Sequence, residues 1–240
     1  GSPGRPVYRL RLRPIGDMPD WRAGDVAEVE LPEAVAGQPG QLRDYSIATV
    51  PADRAMDLII RETVRADGTP GLASTWLLDR CRIGETVPLR IRTNRTFHGP
   101  DATVPLILIG NGTGLGGLVA HLSERARASK PGPAWLLFGE RTAAHDALLD
   151  QRLQGWLASG VLPRLDRAFS RDKGGARYVQ DILQAEADTV RDWVERGATI
   201  MVCGSLKGMA PGVHAALRDI LGEARLLYLR EAGRYRRDVY

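Results

Sequence analysis

The run Pro105-Leu106-Ile107-Leu108-Ile109-Gly110-Asn111-Gly112-Thr113-Gly114-Leu115-Gly116-Gly117 decides how the chain is read. Its first residues are continuously apolar, as in a strand buried on both faces of a parallel sheet. Glycines follow at once, and a helix-forming stretch begins near residue 116. A glycine-rich turn between a first strand and a helix lets the backbone approach a pyrophosphate, whose charge the helix N-terminus favours. No Walker-type lysine follows, so nucleotide hydrolysis is disfavoured. Toward the C-terminus, helical stretches at roughly 116–128, 144–159, 178–196 and 206–222 alternate with apolar strands at 134–138, 162–169 and 199–202. Residues 226–240 read as a last strand with an extended end. This βαβ rhythm predicts a doubly wound parallel sheet over residues 100–240.

The preceding part reads differently. Short alternating runs at 7–12, 26–31, 45–50, 57–62 and 86–92 are separated by turn residues. Strands at that spacing predict a small antiparallel β-barrel or sandwich over residues 5–99. His98-Gly99-Pro100-Asp101 marks the boundary between the two domains. One helix interrupts the strands: Gly71, Leu72, Ala73, Ser74 and Thr75 precede an apolar, helix-forming run at 76–81, with Ser74 or Thr75 as its cap. Small residues at a helix N-terminus leave backbone N–H groups open to an anion; simple capping explains them equally well.

The composition narrows the function. At 240 residues, with 43% hydrophobic and 26% charged content, the chain suits one large or two small domains of an α/β protein. No apolar run approaches the roughly 20 residues that span a bilayer, and no secretory signal pattern is read. Gly1-Ser2-Pro3-Gly4 lacks a starting Met and reads as an expression remnant, with native sequence expected upstream. Cys81 and Cys203 leave room for a disulfide but fit a reducing compartment, and two thiols cannot ligate an ordinary iron–sulfur cluster. The four histidines lack metal-ligand spacing, so no metal is expected. A net charge of +4 and a pI near 9.3 favour an anionic ligand or partner, without the interleaved aromatics of a nucleic-acid groove.

Several clusters carry chemistry. Arg43-Asp44-Tyr45-Ser46 sets a guanidinium, an aromatic ring and a hydroxyl on a strand, with Arg43 and Tyr45 sharing a face. That set suits a ligand with both a phosphate and a flat ring; an ordinary strand with an exposed Arg and a packed Tyr is the plain alternative. Phe169-Ser170-Arg171-Asp172-Lys173 ends a strand at the edge where open α/β sheets bind ligands, and Arg177, Tyr178 and Gln180 follow. A hydroxyl with cations there favours NADP, since NAD sites usually place an acid at that point; a polar loop of solvated charges is the alternative. Val202-Cys203-Gly204-Ser205 ends the next strand. Cys203 reads either as a core thiol or as a neighbour of a nicotinamide ring, and no His stands by to make it a nucleophile. The chain finishes Arg234-Tyr235-Arg236-Arg237-Asp238-Val239-Tyr240, and an aromatic last residue calls for something flat to dock on.

Taken in order, R-x-Y-S, G-x-x-S-T, G-x-G-T-G, S-R-D with a following Y-V-Q, V-C-G and D-V-Y resemble the ferredoxin–NADP reductase superfamily over residues 43–240. The nearest branch is the FAD/NADPH module of the diflavin reductases. The resemblance implies an FAD-binding β-barrel followed by an NADPH-binding α/β domain. Tyr45 would stack on the isoalloxazine, and Arg43 would meet the FAD pyrophosphate together with Gly71, Leu72, Ala73, Ser74 and Thr75. Ser46, with Ile47 beside it in the same site, would sit near flavin N5. Gly112, Thr113 and Gly114 would meet the NADPH pyrophosphate, and Ser170, Arg171, Arg177, Tyr178 and Gln180 the 2′-phosphate side. Cys203 and Asp238 would join Ser46 around the hydride path. Tyr240 would cover the other flavin face and move to admit nicotinamide.

The activity so implied passes a hydride from NADPH to FAD and then single electrons to a flavodoxin-like FMN domain or another acceptor. That acceptor would lie on the same native chain or on a separate one. A self-contained reductase of ferric chelates or small acceptors, and a non-catalytic flavin-binding regulator, are the alternatives. The implied location is the cytoplasm, or the cytoplasmic side of a membrane if an anchor lies upstream. The chain departs from the family pattern at Gly116-Gly117, where Ala-Pro is usual, at Ser205, where an acid is usual, and at Ala176, where a lysine is usual and Arg177 could substitute. The helical insertion typical of diflavin reductases is missing, since Pro39-Gly40 leads almost directly into R-x-Y-S.

Overall fold

The computed structural model describes residues 2–240; Gly1, part of the expected expression remnant, lies outside them. The first part is built from β1 (Val7–Leu12), β2 (Val26–Glu30), β3 (Leu42–Ser46), β4 (Met56–Arg61) and β5 (Leu89–Arg92). They form two antiparallel sheets, β1–β4 and β3–β2–β5, linked by the isolated pair Ile47–Leu58. Alternate residues point into a common core: Ala27 and Val29 from β2, Leu58 and Ile60 from β4, with Trp76 and Leu77 across the end. Of the barrel or sandwich expected, the strands form two linked antiparallel sheets; among the described residues no ladder joins β1 to β5 to close a barrel. The strand expected at 45–50 is shifted toward the N-terminus. β3 stops at Ser46 because the chain then leaves β2 for β4, with Ala48 N donating to Asp57 O at 2.8 Å.

Two short helices connect these strands, α1 (Glu33–Ala36) and α2 (Leu72–Thr75), the latter widening into a π-type turn over Trp76–Arg80. The helix starts earlier than expected. Gly71 precedes its first turn, and Ser74, expected as a cap, lies inside it, its hydroxyl 2.8 Å from Thr63 Oγ1 and accepting from Thr63 N at 3.1 Å.

The second part runs β6 (Leu106–Asn111), α3 (Leu115–Arg125), β7 (Ala134–Glu140), α4 (Ala143–Asp146), α5 (Asp150–Ala158), β8 (Arg164–Phe169), α6 (Val179–Ala185), α7 (Ala187–Glu195), β9 (Thr199–Gly204), α8 (Met209–Leu221), α9 (Glu223–Glu231) and β10 (Tyr235–Val239). The strands form one parallel sheet in the order β10-β9-β6-β7-β8. Strand order reverses between β6 and β9, and a crevice opens beyond their carboxyl ends. Alternation divides the side chains between the sheet's faces. Ile107, Ile109, Leu137 and Val202 join the core with α6, α7 and α8, while Leu106, Leu108, Leu136 and Phe138 join the core with α3 and α5. The last strand, expected from residue 226, begins only at Tyr235 as β10, and the residues before it form helix α9. Its buried Leu226 and Leu229 stand three apart, which puts them on one face of a helix but on opposite faces of a strand. No described helix is long and apolar enough to cross a membrane, and Cys81 and Cys203 are both free thiols.

The core beneath α3 crosses between the two parts, because Ala48, Ile59 and Phe97 from the first belong to it. His121 on α3 packs edge-on to Phe97 with ring centres 5.5 Å apart, and neither ring nitrogen has a hydrogen-bond partner. Burial, reinforced by Arg125 and Arg236, pushes the imidazole down to about 3, so the fold accommodates only its neutral form. The sign follows: stability is full above the ordinary value of 6.5 and is lost as pH falls toward about 3. Urea unfolding across that window should show a shallower acid loss in His121→Leu than in the wild type; parallel curves would contradict this.

Candidate active site

Two clefts open where the two parts of the chain meet. The first, about 590 Å³, lies beyond the carboxyl ends of β6, β7, β8 and β9. The second, about 610 Å³, lies between β3, β4 and the start of α2. Arg61, Thr113 and Tyr240 line both. The Tyr240 hydroxyl lies 3.2 Å from Thr113 Oγ1. Its backbone N donates to Gly204 O at 3.1 Å, and its carbonyl accepts from Leu206 N at 2.9 Å. These contacts hold Tyr240 between the two clefts.

In the first cleft, Gly112 and Thr113 lie on the wall. Gly114 lies behind it, where a Cβ would collide with the Cys203 carbonyl, so only glycine lets the loop rest on β9. Asn111, which was not anticipated, ties the same two strand ends together by accepting from Ser205 N at 2.9 Å. Ser170, Arg177, Tyr178 and Gln180 line this cleft together. Asp181 sets their loop: its Oδ2 accepts from Arg177 N at 3.1 Å and Tyr178 N at 2.9 Å, closing the start of α6. Arg171 does not converge with them. It is exposed and off the lining, its backbone N held by Arg141 O at 2.8 Å.

In the second cleft, Arg43, Tyr45 and Ser46 meet Gly71, Leu72, Ala73 and Ser74. Arg65 and Arg92 add cations that sequence reasoning missed, because nothing in their local context distinguishes them. Burial pushes the Tyr45 phenol up to about 12 against the pull of Arg43, so the ring stays neutral. The N–H groups of Leu72, Ala73 and Ser74 have no carbonyl within their own helix to bond. Ile47 and Thr75 do not line the cleft. Ile47 follows Ser46 on the opposite face and is fully buried in the core between the sheets, and Thr75 lies one step past the open turn.

Between the clefts, Ser46 Oγ donates to Asp238 Oδ2 at 3.3 Å, and Cys203 Sγ lies 4.0 Å from the same oxygen. The β9–β10 register places Asp238 directly opposite Cys203, so residues far apart in sequence converge. Burial raises the Asp238 carboxyl, opposed by the Ser46 hydroxyl and Arg92. Cys203 itself is fully buried and lines neither cleft, which places it behind the wall and not in it. Gly117 packs on both neighbours: a Cβ there would lie 3.1 Å from Cys203 Sγ and 3.3 Å from Ser46 Cβ.

The sequence profile described as the oxidoreductase NAD-binding domain matches residues 108–215, which contribute most of the wall of the first cleft. The sulfite reductase (NADPH) flavoprotein alpha-component of Vibrio cholerae is 36% identical over 214 residues, covering 82% of this chain and 35% of that protein. The same component of Bacillus subtilis is 34% identical over 181 residues, covering 71% and 30%. That of Neisseria meningitidis is 35% identical over 214 residues, covering 82% and 35%. The chain belongs to the ferredoxin–NADP reductase superfamily. Within that superfamily it corresponds to the diflavin-reductase module, and it spans about a third of the length of the curated relatives it matches.

Burial beside Asp238 drives the Cys203 thiol well above its ordinary value. In a Cys81→Ser protein, Cys203 should therefore resist DTNB at about pH 8 until the fold is opened with denaturant. Reaction of the folded protein at the rate of a free thiol would contradict its placement.

Proposed function

We propose that the chain is an NADPH-dependent, FAD-containing oxidoreductase module. FAD would be held in the second cleft, chiefly by residues 5–99, and NADPH in the first, chiefly by residues 100–240. The observation that carries this reading is the common wall of Arg61, Thr113 and Tyr240 between the clefts, with the Ser46–Asp238 pair beside it. FAD, when bound, supplies the redox chemistry: it accepts two electrons from NADPH and releases them singly, here to an FMN domain or another one-electron acceptor.

The chain's own residues bind, orient and exclude water. Tyr45 and Tyr240 offer the two aromatic surfaces a flat ring needs. Arg43, Arg65 and the open N–H groups of α2 suit a pyrophosphate at the other end of that cleft. In the first cleft, the Gly112–Gly114 turn admits a second pyrophosphate, and Ser170 and Arg177 give a 2′-phosphate a hydroxyl and a guanidinium. Ser46 holds its hydroxyl at the junction, oriented by Asp238 Oδ2, and the raised proton affinity of that carboxyl suits it to share a proton there. Cys203 and Gly117 fix the pair from behind by packing. Tyr240 keeps the two clefts apart and has to move before a nicotinamide can reach the second one.

Anaerobic mixing of FAD-loaded protein with NADPH should bleach the flavin absorbance in a stopped-flow trace. Failure to bind FAD would sink the reading, and FAD binding without bleaching would leave a regulatory flavin-binding module. In the same protein, Arg177→Ala should weaken NADPH by about 10- to 100-fold, the loss of one charge-assisted contact, and NADH much less. Equal losses for both coenzymes would remove the 2′-phosphate assignment.

A further inference from the structure

Arg61 ends β4, and among the described residues it is the arginine that lines both clefts. Its guanidinium is fixed on two sides. One nitrogen donates to Arg5 O at 3.0 Å, and another pairs with Glu140 Oε1. Glu140 ends β7 on the wall of the first cleft, and its second oxygen accepts from Arg141 N at 3.1 Å. The glycine turn lies over this ion pair. A Cβ built on Gly112 would stand 3.6 Å from the Arg61 Nη2 and 3.7 Å from Glu140 Oε1, so the bare glycine leaves the pair open to whatever settles on the turn.

We propose that Arg61 is shared: an incoming coenzyme pyrophosphate draws its guanidinium away from Glu140, and Glu140 takes up a proton from solvent. The inference rests on the first cleft being the NADP site. A pyrophosphate offers Arg61 two negative charges against the carboxylate's one, and a bidentate geometry at least as good as that of a carboxylate. Glu140 would then be left buried between the new anion and Asp146 of α4, with Arg141 as the remaining nearby cation among the described residues. A buried carboxylate in that position is more stable neutral than charged. Burial already raises its proton affinity, Arg61 opposes that rise, and Asp146 adds to it. The charge lost at Glu140 compensates the charge the coenzyme brings. Coenzyme affinity and proton affinity are then reciprocally linked, so affinity falls as pH rises, by up to about tenfold per pH unit for a full proton.

The test is calorimetric titration of FAD-loaded protein with NADP⁺ in MOPS and in Tris, whose ionisation heats differ. The difference in observed heat counts protons taken up per NADP⁺ bound. The wild type should take up more protons than Glu140→Gln, by up to about one. Comparing the two proteins cancels any titration of the 2′-phosphate itself. Glu140→Gln should bind NADP⁺ at least as tightly, since it resembles the neutral form. Arg61→Met, where Glu140 has already lost its partner, should also lack the uptake while binding NADP⁺ more weakly. It serves as the second variant if the first does not fold. Equal proton counts in the wild type and the variants would overturn the exchange while leaving the NADP site intact. An absence of NADP⁺ binding in the wild type would overturn the site assignment and the exchange with it.

Discussion

Helix α3 lacks side chains at two successive positions, Gly116 and Gly117, where the first part of the chain presses on it. A Cβ at Gly116 would stand 3.3 Å from Ile59 Cγ1, and one at Gly117 3.3 Å from Ser46 Cβ. Those bare positions let β4 and the end of β3 rest directly on the helix that follows the glycine turn. Interiors this dense respond to a single methylene, so the approach sets the relative positions of the two halves. Everything at the junction depends on it: the shared core around Phe97, the contact of Ser46 with Asp238, and the meeting of the two clefts at Tyr240.

The parallel sheet places its ligand crevice where strand order reverses, and the linked antiparallel sheets supply a second wall to it. Polar groups at this seam are paired across it. Arg61 from β4 meets Glu140 from β7, Ser46 from β3 meets Asp238 from β10, and Arg127 meets Asp53 at 2.8 Å. The last pair is exposed and contributes little on its own. The first two are largely buried, so removing one partner would strand the other. Pairing of this kind fixes geometry more than it adds stability, which suits a site whose work is alignment.

Much of this was legible beforehand. The apolar run at 105–109 with its glycines located the central strand and its turn, because both signals are local. The residues Arg43 to Ser46 and Gly71 to Ser74, and Ser170 with Arg177 to Gln180, line the clefts, and their signals too are local. What escaped was set by long-range pairing. Arg61 and Glu140 look like ordinary strand-end charges until β4 is brought to β7. Ile47 follows Ser46 directly, and the alternation of a strand turns it inward to the core. Arg171 stands beside Ser170 yet points away, while Asp181, four residues beyond Arg177, holds the loop that does the lining. Helix α9 was hidden because its buried residues are few and an exposed surface carries the remainder.

One aromatic wall, Tyr240, separates the two clefts and comes from the far end of the chain. The most direct test of the proposed FAD and NADPH sites on either side of it is removal of Tyr240 from the FAD-loaded protein, read by the flavin absorption band and by the preference for NADPH over NADH. The band should shift, because one face of the ring loses its aromatic neighbour, and the preference should fall, because the nicotinamide pocket is no longer closed. An unchanged band together with an unchanged preference would place the second wall elsewhere and contradict the arrangement.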